Sequence, residues 1–373
     1  MAWLGRKKLA FIPLSRTNAH PPDVIPANWT EQITQRVFFD KDPNTGTDRS
    51  VRAYIHTVSS GLADLDVSVQ PPQTIAGQDI APNALEATMG AQLRANGFDG
   101  AAIVMLGGPD GGETIGYWSR FCMSDDLGHW VGELVHQTGL CNLPDLFDFT
   151  DEYPDENMLG FDQEAGYLAT HFSAWTKRGI GWIDPSTVPV QTTQTGVYTL
   201  HSISLIQPPP QGRIAALQIG QQVPYLMVEA RLRADQFDVH IPSEGVIVYQ
   251  VQTTDPLGNA QNEMPFLNLF TKTALTVGQS FTAGNGVSVR VNSSVPGGFT
   301  VSITNPSGGV VVPNVFELNA VAAAKVIRDA GLVPAFSQPV QKSLWVKSQS
   351  PLGGTLVPKG TKVNMTLSNL PPQ

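Results

Sequence analysis

The stretch Asp125 to Asp148, DDLGHWVGELVHQTGLCNLPDLFD, sets His129, Glu133 and His136 on one side of a helix of about 100° per residue. Leu127, Trp130, Val131, Leu134 and Val135 fall on the opposite side. Hydrolytic zinc chemistry on such a face takes a His-Glu-x-x-His pattern. Two imidazoles one turn apart hold the metal, and the Glu beside the first draws a proton from metal-bound water. Glu133 and His136 stand at the base and second-ligand positions, but Gly132 stands where the first ligand belongs. The motif is one ligand short. His129 shares the polar side but lies roughly 10 Å along the axis from His136, too far for a simple replacement. The plainer reading of all three polar residues is a solvated helix face.

The elements that must position these groups can be read around them. Ser124 is placed to cap the helix, Asp125 and Asp126 suit its positive end, and Gly139 suits the C′ position. Upstream, residues 1–24 read as an irregular arm with a break at Pro21-Pro22. A helix over Trp29–Phe39 follows, capped by Asn28. Alternation predicts strands over Arg52–Val58 and Leu65–Val69. Asn83 caps a helix carrying Leu85, Met89 and Leu93 and ended by Gly97; Ala101 to Leu106 is a continuous apolar run, the mark of a buried strand. The glycine-rich segment Gly107–Gly112 lacks the Gly-Lys-Ser/Thr ending of a phosphate loop and reads as a rim loop. Downstream, a helix opens at His171 and runs to Lys177, with Phe172, Trp175 and Ile180 as core anchors and His171 as a packed or capping residue.

The run Gly-Glu-Leu-Val-His-Gln-Thr-Gly-Leu, followed by Leu143-Pro144-Asp145-Leu146-Phe147-Asp148, resembles the zinc-binding segment of the immune inhibitor A-like metallopeptidases. The segment His171 to Lys177 with Gly181-Trp182 looks like a second motif of that family, and Met158-Leu159-Gly160 like its Met-containing turn. Glu244 to Val251 is similar to a downstream strand, with Gln250 where the family has His. The resemblance spans roughly residues 25–305 and implies a zincin fold, zinc as cofactor and secretion. It also implies Asp145 as third ligand by local motif, whereas spacing from His136 points to Asn142; the two stay open. Around Asp145 the carboxylates of Asp148, Asp151 and Asp155 make a calcium site a candidate beside a solvated acidic loop. They lack the Asp-x-Asp-x-Asp-Gly spacing of a calcium hand.

From Pro185 the texture changes to short alternating runs between Gly, Pro and Asn: Val197–Ile206, Ile214–Ile219, Tyr225–Arg231, Gly245–Thr253, Ala274–Val277, Val287–Asn292 and Gly298–Thr304. Strands at that spacing predict a β-sandwich over 185–305. Residues 306–310 read as a linker. Beyond it Val312-Pro313-Asn314-Val315, a helix from Ala320 to Ala330 ending at Gly331, the Ser-Gln-Ser-Pro turn at 348–351 and Val-Pro-Lys-Gly-Thr at 357–361 together resemble a PASTA domain over 311–373. That resemblance implies a small helix on a three-stranded sheet and an affinity for muropeptides.

Composition narrows the partners. The 373 residues carry a net charge of −9 with no basic cluster, which argues against nucleic acid. Only 15% are charged, and 35 Gly and 29 Pro favour strands and turns. No stretch reaches the roughly 20 apolar residues of a membrane span. Leu9 to Leu14 is too short for a Sec signal core and contains Pro13. The family resemblance therefore implies a cell-surface or extracellular site without a recognisable signal, and a cytoplasmic one stays open. Cys122 and Cys141 flank a helix about 20 Å long, which argues against a disulfide between them.

The fold expected is α+β: a zincin-like metallopeptidase domain over 25–184, a β-sandwich and a PASTA-like tail. The function expected is that of a degenerate peptidase scaffold binding peptide, protein or cell-wall glycan. The first alternative is an active zinc endopeptidase with Glu133 as base, His136 and Asp145 on the metal and His129 nearby. The second is an assembly subunit.

Overall fold

The computed structural model describes residues 2–17, 25–75, 81–105, 113–141, 158, 160–162, 169–191, 195–221, 223–252, 266–270, 273–304, 309–316, 318–339, 341, 343–358 and 360–369. It is a mixed α+β protein with several sheets and few helices. The chain divides into two compact units: Met1–Thr187 with Ser202–Pro209 and Arg231–Glu244, and Val188–His201 with Pro210–Ala230 and Gly245–Gln373.

In the first unit, β1 (Gly5–Arg16) is followed by α1 (Trp29–Phe38), α2 (Val51–Val58), β2 (Ala63–Val69) and β3 (Gln73–Ile75). Next come α3 (Ala81–Leu85), a π turn over Glu86–Gly90, α4 (Ala91–Ala95), β4 (Gly100–Met105), β5 (Glu113–Ile115), β6 (Trp118–Cys122), α5 (Leu127–Val135) and α6 (Ala174–Gly179). The sheet runs β2-β1-β4-β6-β5, with β3 pairing the far end of β1. All pairs are parallel except β5 with β6 at the edge.

The segment expected to be an irregular arm thus supplies an inner strand of the sheet. Its apolar run is what a parallel strand covered on both faces requires. Leu9 and Phe11 enter one core, with Ile33, Val37, Tyr54, Ile55, Trp130 and Phe172; Ala10, Ile12 and Leu14 enter the other, with Leu85 and Leu93. Pro13 is tolerated because of register. Odd-numbered residues of β1 turn their backbone groups toward β2 and β3, as Gly5 N–H to Leu62 O and Gln70 N–H to Phe11 O show. Pairing with β2 ends at Phe11 and pairing with β3 begins at Leu14. The N–H that proline lacks therefore falls in the gap between them.

The strand expected over Arg52–Val58 is α2. Val51, Tyr54, Ile55 and Val58 are buried at i, i+3, i+4 and i+7, and the Ala53 N–H donates to Ser50 Oγ at 3.2 Å, a helix cap. Asn28 precedes α1 without capping it through its side chain, since its Oδ1 accepts from Gln32 Nε2 instead. The helix expected after Asn83 is real but begins earlier, at Ala81. The segment Gly107–Gly112 lies outside the described residues.

The second unit holds β7 (Val190–Gln191), β8 (Gly196–His201), β9 (Ala216–Ile219), β10 (Tyr225–Arg231), β11 (Gly245–Gln252), β12 (Phe266–Leu269), β13 (Ser280–Thr282), β14 (Ser288–Val295) and β15 (Gly298–Thr304). They form one sheet in the order β12-β11-β10-β9-β7 and another in the order β13-β14-β15-β8, touching through β11 against β15 and β8 against β9. The strand expected over Ala274–Val277 is reduced to one bridge, Val246 with Leu275. Then come β16 (Gly309–Val311), α7 (Ala320–Asp329), β17 (Val333–Phe336), β18 (Trp345–Ser350), β19 (Leu356–Pro358) and β20 (Lys362–Ser368). Here β17-β20-β18 form a three-stranded sheet, and Ala323 and Ile327 of α7 join Val312, Leu332, Val346 and Val363 in one core. Val321 on the same helix is exposed. No helix among the described residues is long and apolar enough to cross a membrane.

Candidate functional site

Helix α5 starts two residues later than its sequence suggested. Asp126, not Ser124, is its cap: Oδ1 accepts from the His129 N–H at 3.1 Å. Asp125 is spent on the Cys122 N–H, 2.6 Å from its Oδ2. The helix stops at Val135, with His136 as C-cap residue in right-handed conformation. Gly139, expected to end the helix, serves a close approach instead. A Cβ there would lie 1.7 Å from the Asp99 carbonyl oxygen. Gln137 holds this exit against the sheet, donating through Nε2 to Ala101 O at 3.1 Å and Ser119 Oγ at 2.7 Å.

Glu133 is not on a solvated face. It is 7% exposed, lodged against the edge of the sheet. Thr114 Oγ1 on β5 donates to its Oε2 at 2.6 Å, and Ser119 Oγ on β6 donates to its backbone carbonyl at 2.6 Å. An O–H···O bond of this length lies at the short end of the ordinary range. The carboxylate therefore ties the helix to the edge strand. Gly132 beside it is buried, and His136 is half-buried one turn from position 132.

His129 points elsewhere. Its Nδ1 lies 3.0 Å from Asp126 Oδ1, and this hydrogen bond raises the imidazole pKa above its ordinary 6.5 despite burial. The carboxyl of Asp126, which burial alone would push up, is lowered by the same partner. A raised histidine stabilises fully below its unfolded pKa and loses that contribution as pH rises through its folded pKa. Thermal melts on either side of neutrality are expected to show wild type losing about 0.5 kcal/mol relative to His129→Gln as pH rises, a size set by the exposure of Asp126.

Glu133 lies within α5 and His136 is its C-cap residue, while His129 in the first turn of the helix is held by Asp126. Asn142, Asp145, Asp148, Asp151 and Asp155 lie outside the described residues. Among the described residues no three His, Cys, Asp or Glu side chains converge as a metal site. Of the expected zinc-site positions, the described residues hold Gly132 at the first-ligand position, the tethered Glu133 carboxylate and the His136 imidazole. Cys122 and Cys141 are free and buried. Met158 of the expected Met-containing turn is buried and accepts the Phe161 N–H at 2.7 Å, while Leu159 lies outside the described residues.

A second polar cluster, buried except for the half-buried Asp235, sits at the segment His171 to Lys177. The helix expected from His171 begins after Ser173, whose Oγ caps α6 at the Thr176 N–H. Lys177 Nζ donates to His171 Nδ1 and to Ile203 O, both at 2.8 Å. The proton of a neutral His171 is therefore on Nε2, which donates to Asp235 Oδ2 at 2.7 Å. Asp238 binds Arg231 Nη2 at 2.8 Å, the His171 N–H at 2.8 Å and the Ser204 hydroxyl. Burial alone would raise its pKa, but Arg231, His171 and the Ser204 hydroxyl together outweigh it and hold the carboxyl well below the usual range. His171 is thus the packed residue its sequence suggested. Asp235, Asp238 and Arg231 had no signal beyond the Asp-x-x-Asp spacing, in which Asp235 Oδ1 accepts the Phe237 and Asp238 N–H groups.

No curated protein matches the chain. Its C-terminal helix on a three-stranded sheet does have a family: residues 310–369 are a PASTA domain, a module of cell-envelope-associated proteins that typically binds peptidoglycan fragments.

Proposed function

We propose that this is a non-catalytic binding protein of the cell envelope. In this reading an immune inhibitor A-like, zincin-type scaffold and a β-sandwich companion are joined to a PASTA domain that engages peptidoglycan fragments. The observation that carries it is Gly132 in the first-ligand position with the neighbouring Glu133 carboxylate tethered by Thr114. Losing an inner ligand is a larger change than the outer-shell losses that already cost about 10–100-fold in metal affinity or activity. The bound partner of the scaffold is a peptide, protein or wall glycan.

Metal analysis and casein hydrolysis on the purified full chain test the reading, with co-sedimentation on peptidoglycan alongside. The expected results are less than stoichiometric zinc, no hydrolysis above that of Glu133→Gln, and retention on peptidoglycan. Stoichiometric zinc with activity abolished in Glu133→Gln would install the endopeptidase reading, with His136 and Asp145 on the metal. Concentration-dependent light scattering without retention on peptidoglycan would favour an assembly subunit.

A further inference from the structure

An open groove of about 410 Å3 runs between α1 and the turn Met123–Asp125 that leads into α5. Small-ligand sites are typically ~300–1,000 Å3. Side-chain amides dominate one wall: Asn28, Gln32 and Gln35. Gln32 Nε2 donates to Asn28 Oδ1 and Gln35 Nε2 to Phe39 O, which leaves the Asn28 amino group and both glutamine carbonyls without a partner among the described residues. Arg36 is already committed to the Asp40 carboxylate and, at 2.7 Å, to Asp125 O. Its Nε–H is nevertheless buried and has no partner among the described residues. That nitrogen presents no surface to the groove, so the groups open to a ligand are the side-chain amides.

The wall chemistry selects the ligand. Glu31, Asp40 and Asp125 outnumber the single guanidinium, so an anion is repelled. Asp40 is paired and Asp125 is held by the Cys122 N–H, so no carboxylate pair remains for a cation. Met123 is the one large apolar group of the lining, too little to anchor a peptide by its side chains. Amides that offer a donor and an acceptor side by side suit vicinal hydroxyls, each of which is both. We propose that this groove binds a neutral oligosaccharide, with room for about two sugar rings. The assignment rests on the envelope reading above and names the glycan as the scaffold's ligand.

Titration calorimetry of the full chain with tri-N-acetylglucosamine tests it. Wild type is expected to bind, and Gln32→Ala/Gln35→Ala to bind about tenfold or more weakly, two hydrogen bonds of ~0.5–1.5 kcal/mol each being lost. Ser124→Trp, at an exposed position of the opposite wall, is expected to abolish binding by filling the groove. Unchanged melting temperatures would show that both variants fold. The proposal is overturned if wild type does not bind the trisaccharide, or if both variants bind it as wild type does. Co-sedimentation with intact peptidoglycan separates the failures. Retention without trisaccharide binding removes the groove and leaves the envelope reading, whereas loss of both removes both.

Discussion

Replacing Asp238 by alanine is expected to lower the stability of the first unit by about 3–5 kcal/mol, the cost of leaving a buried charge without its partner. Asp238 and Arg231 are both fully buried and 2.8 Å apart. Arg231 also donates to the carbonyls of Phe161 and His171, so removing the carboxylate strands a guanidinium at the junction of three chain segments. Urea melts would read the loss as a lower midpoint. Asp238→Leu combined with Arg231→Met is expected to recover much of it, because a buried pair replaced as a whole by apolar groups is often neutral. A double variant no more stable than the single one would show that the pair is indispensable in itself. The carboxyl's depressed pKa sets the acid limit. Its contribution is present above the ordinary aspartate value of 3.8 and is lost as pH falls through the folded value.

Trp130→Ala is the second large effect, about 3–5 kcal/mol for emptying a wholly buried indole. The ring of Trp130 lies 4.3 Å from Phe121 and 6.0 Å from Phe11 between centroids, so it joins α5 to β6 and β1 at once. Its Nε1 donates to Cys122 O at 3.1 Å. Trp130→Phe should retain most of the packing and lose mainly that bond, about 1 kcal/mol. Equal losses for the two variants would mean that the hydrogen bond, not the packing, holds the helix. Near-ultraviolet circular dichroism, sensitive to aromatic packing, would follow the change.

Periodic features were legible in the sequence because they are local. The apolar face of α5, the buried run of β4, β10 and β15 to the residue, and the motif order of the PASTA domain all came from spacing and turn chemistry. What failed depended on distant partners. The strand β1 hid behind Pro13, whose harmlessness follows from where two neighbouring strands stop. Helix α2 alternates well enough to pass for a strand until Ser50 is seen as its cap. At the candidate site, the helix that carries His129 and Glu133 was readable from its period. The Thr114 tether was not, because β5 reaches α5 only through the sheet. Nor was the cluster of His171, Arg231, Asp235 and Asp238, whose members are far apart in sequence and meet only in the folded unit.

The membership of Ser202–Pro209 and Arg231–Glu244 in the first unit bears on how the chain can be made. During synthesis the earlier unit stays unfinished until the ribosome has released Glu244, by which time β7 to β10 of the later unit have already emerged. A gene cut at Thr187 would yield a fragment whose Lys177 and His171 lack the carbonyl of Ile203 and the carboxylate of Asp235. Expression boundaries for the isolated N-terminal half therefore belong no earlier than Glu244.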